Sequence, residues 1–295
     1  MSNPTRRIGF TLIELLVVIS ILGVLATLTA VYVIPAFQDN KNVQRGVDRI
    51  VTTLLIAKQR ALRDGRPVGV RFDFDSDFDA LPRSSRTMRY VEQPDLLAGW
   101  KATANVVNPY LFSLDDIDLM GAFPATGNRD DLAVQQGDWL RVGGFNYEIA
   151  ADPVTTTPRQ VQVMTPRVDN RSANGRFQVI RQTRPIGGED VVELPQNVVI
   201  NFKIIEDSAS TNRPPNSIGT VPQPEIVFSP SGGVFNRGTA AAIVLWVQDK
   251  TKPTTEANTS RLIVISPRTG LVGSHLLSPS ANPLEYALDG KSSGL

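Results

Sequence analysis

Apolar positions along the chain fall into three successive patterns. From Phe10 to Ile34 there are 25 consecutive residues with a single ionisable side chain, Glu14. As a helix at about 1.5 Å per residue this run extends about 37 Å, enough to cross a bilayer core of about 30 Å. Pro35 is expected to kink or interrupt the helix. Beyond it Val43, Val47, Ile50, Val51, Leu54, Leu55, Ala61 and Leu62 recur at spacings of three and four. Charged residues from Asp39 to Arg60 fill much of the remaining surface, so this half reads as an amphipathic helix lying on a sheet and not on lipid. Asp64-Gly65-Arg66-Pro67 is a stop signal, and the third pattern follows at once. Val68, Val70, Phe72 and Phe74 alternate with Arg71 and Asp73 in the period of a strand, which predicts a solvated polar face opposite an apolar one.

Residues 82–137 mix turn formers with short apolar pieces and read as an insertion. Strands are expected at Trp139–Ile149, Gln160–Met164, Arg176–Gln182 and Val191–Ile205, and Glu206–Pro224, with Pro214, Pro215, Pro222 and Pro224, reads as an exposed connector. In the last hundred residues Glu225-Ile-Val-Phe228-Ser-Pro-Ser-Gly232-Gly233 and Arg261-Leu-Ile-Val-Ile265-Ser-Pro-Arg-Thr-Gly270 flank an apolar strand, Ala241–Val247. Two strands that each run into a glycine turn predict two hairpins and an antiparallel meander. The fold class that results is α+β, a long N-terminal helix packed on an antiparallel β-sheet head.

Composition removes much chemistry. The 30 Lys and Arg nearly balance 29 Asp and Glu, so no field of one sign draws in a polyanion. There is no cysteine and one histidine, His275, which excludes disulfides, thiolate nucleophiles and any metal or triad scheme that needs two such residues. Asp73, Asp75, Asp77 and Asp79 invite a calcium reading, but Phe78 stands where an EF-hand loop needs glycine and Ser84 where it needs a bidentate glutamate. Gly143-Gly144, Gly187-Gly188 and Gly232-Gly233 lack the surroundings of a phosphate cradle and read as turns. Arginines at 159, 167, 171, 176, 181 and 184 thicken one region; a solvated face explains them, and a nucleic-acid partner is not expected. No cofactor, metal or catalytic residue is implied.

The N-terminal run admits three readings: a removable secretory signal, a permanent anchor, or a leader cut ahead of the apolar stretch. Arg6 and Arg7 precede it with no acid before Gly9, which places the N-terminal end on the cytoplasmic side. A secretory signal gives no reason for a carboxylate five residues into the apolar run. Cutting between Gly9 and Phe10 creates an α-amine four residues from Glu14, on the same helical face, and in low dielectric the carboxylate can neutralise that amine or the amine of a stacked neighbour.

Arg-Arg-Ile-Gly9 followed by Phe10-Thr-Leu-Ile-Glu14-Leu-Leu-Val-Val resembles the type IV prepilin leader. The resemblance implies cleavage between Gly9 and Phe10 by a membrane prepilin peptidase, N-methylation of Phe10, and a role for Glu14 in assembly with other pilins or pseudopilins. Val31 stands where that family carries a proline, with Pro35 four residues later. The two C-terminal strand-turn-glycine units, with Ala57-Lys-Gln-Arg-Ala61 and Arg66-Pro-Val-Gly-Val-Arg71, resemble the GspH/FimT family of minor pseudopilins, leaving residues 75–205 unmatched. The organisation this implies is a leader at 1–9, a membrane helix at 10–34, an amphipathic helix at 35–65, a β-rich head at 66–275 with an insertion around 75–137, and a tail at 276–295. The expected function is that of a non-enzymatic subunit of a type II secretion pseudopilus, held by one helix in the cytoplasmic membrane with its head outside. A type IV pilus minor pilin for adhesion or DNA uptake and a membrane-anchored envelope hydrolase using carboxylates are the alternatives.

Overall fold

The computed structural model describes residues 12–74, 83–115, 133–152, 160–166, 174–208, 223–235, 242–253, 259–278 and 282–288. Helix α1 (Leu12–Asp64) is continuous over 53 residues, so the interruption expected at Pro35 does not occur. A proline removes one backbone hydrogen bond from a helix, and here the ladder continues on both sides of it. The C-terminal end obeys the stop signal: Gly65, at φ 67°, donates its N–H to the Ala61 carbonyl at 3.2 Å, the left-handed cap that glycine forms without a Cβ clash.

The second half of α1 is the spine of the head. Val43, Val47, Ile50, Leu54, Ala57 and Ala61 are buried and join one apolar cluster with Val70, Phe72, Phe228, Leu245 and Ile263 from the sheet. Complete burial of a side chain such as Ile50 or Leu54 contributes about 1.5–3 kcal/mol. Leu55 and Leu62, part of the stripe by spacing, remain exposed, because a helix on a sheet covers a band only somewhat wider than about 100°.

Two antiparallel sheets follow. The main one has ten strands among the described residues: β1 (Val68–Phe74), β2 (Ser84–Glu92), β9 (Arg184–Pro185), β10 (Val192–Glu193), β11 (Val198–Asn201), β12 (Glu225–Phe228), β13 (Val234–Phe235), β14 (Ile243–Asp249), β15 (Ser260–Ile265) and β16 (Val272–Leu276). Their order is β13-β12-β1-β2-β11-β14-β15-β16, with β9 and β10 pairing on β2. Both expected C-terminal hairpins form, as β12–β13 and β15–β16, but not as one meander: β1, β2 and β11 stand between β12 and β14. Strand β1 takes β12 as its partner, from Val68 opposite Phe228 to Arg71 opposite Glu225. Neighbours in sequence are neighbours in a sheet only about two times in three, and here long-range pairing wins.

This sheet curls around α1 until its two ends meet. The turn 229–233 after β12 and the turn 266–270 after β15 come together, and Val234 donates its N–H to the Pro267 carbonyl at 2.7 Å. Gly270, at φ 59°, lies so close to the Gly232 carbonyl oxygen that a Cβ there would overlap it. Lys58 of α1 donates from Nζ to the carbonyls of Thr269 at 2.8 Å and Gly270 at 3.1 Å, pinning the join to the helix. The arrangement is an α+β, pilin-like architecture: an apolar N-terminal helix running into a helix that is wrapped by an antiparallel head.

The chain leaves the main sheet at Gln93 and returns at Arg184. Between these points β3 (Leu97–Ala104), β4 (Leu111–Asp115), β5 (Trp139–Val142), β6 (Phe145–Glu148), β7 (Gln160–Gln162) and β8 (Asn174–Ile180) form a second sheet in the order β6-β5-β8-β3-β4-β7. It has its own core, including Phe112, Leu114, Leu140, Phe177 and Val179. Strand β2, from the stretch read as turn-rich, lies inside the main sheet, and the strand expected over 139–149 is a hairpin turning at Gly143-Gly144. The strand expected over Val191–Ile205 is two short ones, β10 and β11, and the second ends at Asn201 and runs into helix α2 (Phe202–Ser208). Its Asn201 side chain accepts the Ile204 N–H at 3.4 Å, an N-cap, and Phe202 turns inward against Phe72 at 5.6 Å between ring centroids. On the outer face of the main sheet Ile205, Leu277 and Leu284, the last just before α3 (Glu285–Leu288), bury Val244, Trp246 and Leu262.

Replacing Gly270 with alanine combines a left-handed backbone with a steric overlap, and it should lower stability by about 2–4 kcal/mol in a urea melt. Gly187→Ala, where a Cβ meets nothing within 4 Å, should stay within about 0.5 kcal/mol of the parent. Equal effects at the two positions would show that the meeting of the sheet ends contributes nothing.

Candidate functional site: an unburied helix and a buried neck

Helix α1 changes environment along its length. From Leu12 to Thr29 it is apolar, long enough to cross a membrane, and unburied by the rest of the chain. Leu12, Ile13 and Leu22 are exposed, as are the other large apolar side chains of this run. Its hydroxyls are satisfied within the helix: Ser20 Oγ donates to the Leu16 carbonyl at 2.8 Å, Thr29 Oγ1 to Leu25 at 2.8 Å, and Thr27 Oγ1 to Val24 at 2.8 Å. Such back-bonding suits a segment surrounded by lipid or by other apolar helices, where no water can serve the hydroxyl. Glu14 stands in the first turn, the positive end of the helix dipole. Gly9 and Phe10 lie outside the described residues.

The two connectors that join the sheets run side by side as a neck. Gln93 Nε2 donates to the Arg181 carbonyl at 3.2 Å, and Arg181 Nε to the Asp95 carbonyl at 2.8 Å. Next along the return connector, the Gln182 N–H meets Asp138 Oδ1 at 2.7 Å. Asp138 is fully buried; its Oδ2 also accepts the Gln135 N–H at 2.8 Å and Arg184 Nη2 at 2.9 Å. Burial pushes the Asp138 carboxyl up from its ordinary value, against the opposing pull of the Gln182 amide and the Arg184 charge. Thr183 is then clamped to the main sheet: Arg71 Nη2 donates to its carbonyl at 2.9 Å, and its hydroxyl donates to Glu225 Oε2 at 2.8 Å. Arg71 and Glu225 pair directly at 3.1 Å across β1 and β12. The face of β1 expected to be solvated is therefore covered at Arg71 by the returning chain.

The remaining sequence candidates scatter. Asp75, Asp77 and Asp79 lie outside the described residues, as do Arg159, Arg167 and Arg171. Arg181 and Arg184 turn into the neck, whereas Arg176 stays on the surface over the Trp100 ring, at 4.5 Å from its centroid. His275 sits on β16 opposite Leu262. Among the described residues no three His, Asp or Glu side chains gather as metal ligands would. Asp138 was not singled out by sequence reasoning, and no local signal marks it, because Arg184 is 46 residues away.

Residues 5–30 match a family model described as the prokaryotic N-terminal methylation motif. No curated protein matches the chain. The motif is that of a type IV prepilin-like leader and supports a pilin-like or pseudopilin protein, the kind of chain that serves as a structural subunit. It implies processing by a prepilin peptidase and assembly with other pilin-type chains, and with the apolar half of α1 it describes a single-pass membrane-anchored protein.

Removing Asp138 takes a carboxylate from the buried Arg184 guanidinium and an acceptor from two backbone amides, so Asp138→Ala should lose about 3–5 kcal/mol in a urea melt of the detergent-held chain. Asp138→Asn, which keeps an acceptor oxygen for a backbone amide but not the charge facing Arg184, should lose less than Asp138→Ala. A parent-like melt of Asp138→Ala would show that the carboxylate is not what holds the neck.

Proposed function

We propose that the protein is a minor pseudopilin, a subunit of the short pseudopilus of a type II secretion system. Before assembly it is cut between Gly9 and Phe10 by a prepilin peptidase and methylated at Phe10. The observation that carries this reading is the division of α1: one half buried as the spine of its own head, the other apolar and uncovered behind the leader motif. A helix with no cover from its own chain needs lipid first and neighbouring helices afterwards. Glu14 supplies the register. In an apolar bundle its carboxylate neutralises the Phe10 amine of the next subunit, so subunits one step out of place leave both charges unpaired. Cut at that point, the chain loses Arg6 and Arg7 and keeps 28 basic against 29 acidic side chains, a balance suited to protein contacts more than to nucleic acid. The head, outside the cytoplasmic membrane, contacts other minor subunits or cargo.

The test begins with the protein purified from membranes of cells that carry its own prepilin peptidase. Intact mass and N-terminal sequencing should find N-methylated Phe10; a chain that retains Met1 overturns the reading. Glu14→Ala should be processed normally. Loss of a charge-assisted contact of about 1.5–3 kcal/mol should cut filament incorporation or secretion about tenfold or more. Normal output from this variant would remove Glu14 from assembly.

A further inference from the structure

The outer face of the second sheet carries a groove that neither the leader nor the main sheet explains. Strand β3 has a bulge: Gly99 pairs with Phe177 and Ala102 with Gly175, so Trp100 and Lys101 together oppose Arg176. A bulge re-aims side chains, and this one sets Trp100 on the surface, 68 % exposed, with the Arg176 guanidinium on its ring. Beside them Arg141 on β5 lies opposite Gln178 on β8. These residues line an open groove of about 450 Å³. A second groove of about 380 Å³ shares Arg141 and Gln178 with it and continues along the neck past Leu96, Ile180 and Phe235, with Arg66, Gln93 and Asp95 also in its wall. The two form one channel that crosses from the second sheet to the edge of the main one.

Its chemistry is asymmetric. Arg141 and Arg176 are exposed, and among the described residues neither has a carboxylate partner. At the other end Leu96 and Phe235 are exposed apolar side chains. Arginine and tryptophan are the residues that carry most binding energy at protein contacts, and paired guanidiniums grip carboxylates. This end is mixed: Leu96, Ile180 and Phe235 stand beside Arg66 and Gln93, and exposed apolar side chains next to guanidiniums suit the alternating side chains of an extended peptide better than the uniformly polar surface of a sugar or a phosphodiester.

We infer that this channel is a docking site for an extended segment of a partner protein, with acidic side chains seated on Arg141 and Arg176 and an adjoining apolar residue against Leu96 and Phe235. The inference rests on the reading of the head as the contact-making part of an assembled subunit, and it supplies the chemistry of that contact.

The test is selection from a random linear peptide library displayed on phage, against the full chain in detergent micelles, followed by fluorescence anisotropy of the best synthetic peptide. Selected sequences should place Asp or Glu a few residues from a large apolar residue. Binding should weaken at least tenfold in Arg141→Glu/Arg176→Glu, and likewise in the milder Arg141→Gln/Arg176→Gln and in Trp100→Ala. Arg45→Glu, on the exposed face of α1, should bind as the parent does, and all variants should melt at the parent temperature. No enriched peptide, or peptides that bind these variants as well as the parent, overturns the proposal. So does binding of oligothymidylate or polygalacturonate at these arginines where no peptide binds. Because the measurement needs no filament, its failure leaves cleavage and assembly standing, and a chain that is never processed at Gly9 leaves the binding result standing.

Discussion

Everything in the head depends on the contact between the buried stripe of α1 and the sheet that curls around it. A flat sheet would cover Val43, Val47, Ile50 and Leu54 from one side only. The curvature brings strands as far apart in the order as β12 and β15 against the same helix, and it brings the turns that follow them into contact. Glycine at 233 and 270 lets two backbones approach closer than a Cβ would permit, and the Val234 N–H satisfies a carbonyl across the gap. Lys58 adds a charged donor from the helix itself, so helix and both sheet ends form one unit. A sheet that closes in this way also shields short edges such as β13 from pairing with other chains.

The same helix is divided by what surrounds it. Its C-terminal half has given its apolar stripe to the head, and from Leu12 to Thr29 its large apolar side chains stay exposed among the described residues. One helix thus joins the head to the segment that would lie in a membrane or a bundle. The helix is continuous between Leu12 and Asp64, so the apolar half and the head lie on one element.

The second sheet is attached differently. Two adjacent connectors carry it, and both are held by polar contacts and not by a shared apolar core. Asp138 illustrates the physics: a carboxylate out of water is tolerable because two backbone amides and Arg184 take up its oxygens, and the arrangement holds only if all of them are in place. Such a neck has one good geometry, where an apolar contact accepts many. The surface sheet, with Trp100 and its flanking arginines, is therefore presented at a set orientation to the main head.

What the sequence by itself determined was local and periodic. The apolar run with Glu14 in its first turn, the stripe from Val43 to Ala61, the Gly65 cap and the alternation from Val68 to Phe74 each lie within a few turns or residues, and the helix, its cap and the strand formed there, although Leu55 stayed exposed and Arg71 was covered. The α+β class follows from them. What only the tertiary structure decided was long-range. The pairing of β1 with β12, the insertion of β2 and β11 between the two C-terminal hairpins, the meeting of Gly232 with Gly270 and the burial of Asp138 against Arg184 join residues tens to hundreds of positions apart. No periodicity encodes such partners, since a strand's alternation says which face is apolar and not which strand lies beside it. Leu55 and Leu62 fit the stripe yet stayed exposed, and Asn201 ended a strand by capping a helix, for the same reason: burial is set by what the rest of the chain brings to that side. The glycine before Trp100 was the one local sign of the bulge, and the groove it helps to build became visible only when β8 and β5 laid Arg176 and Arg141 beside it.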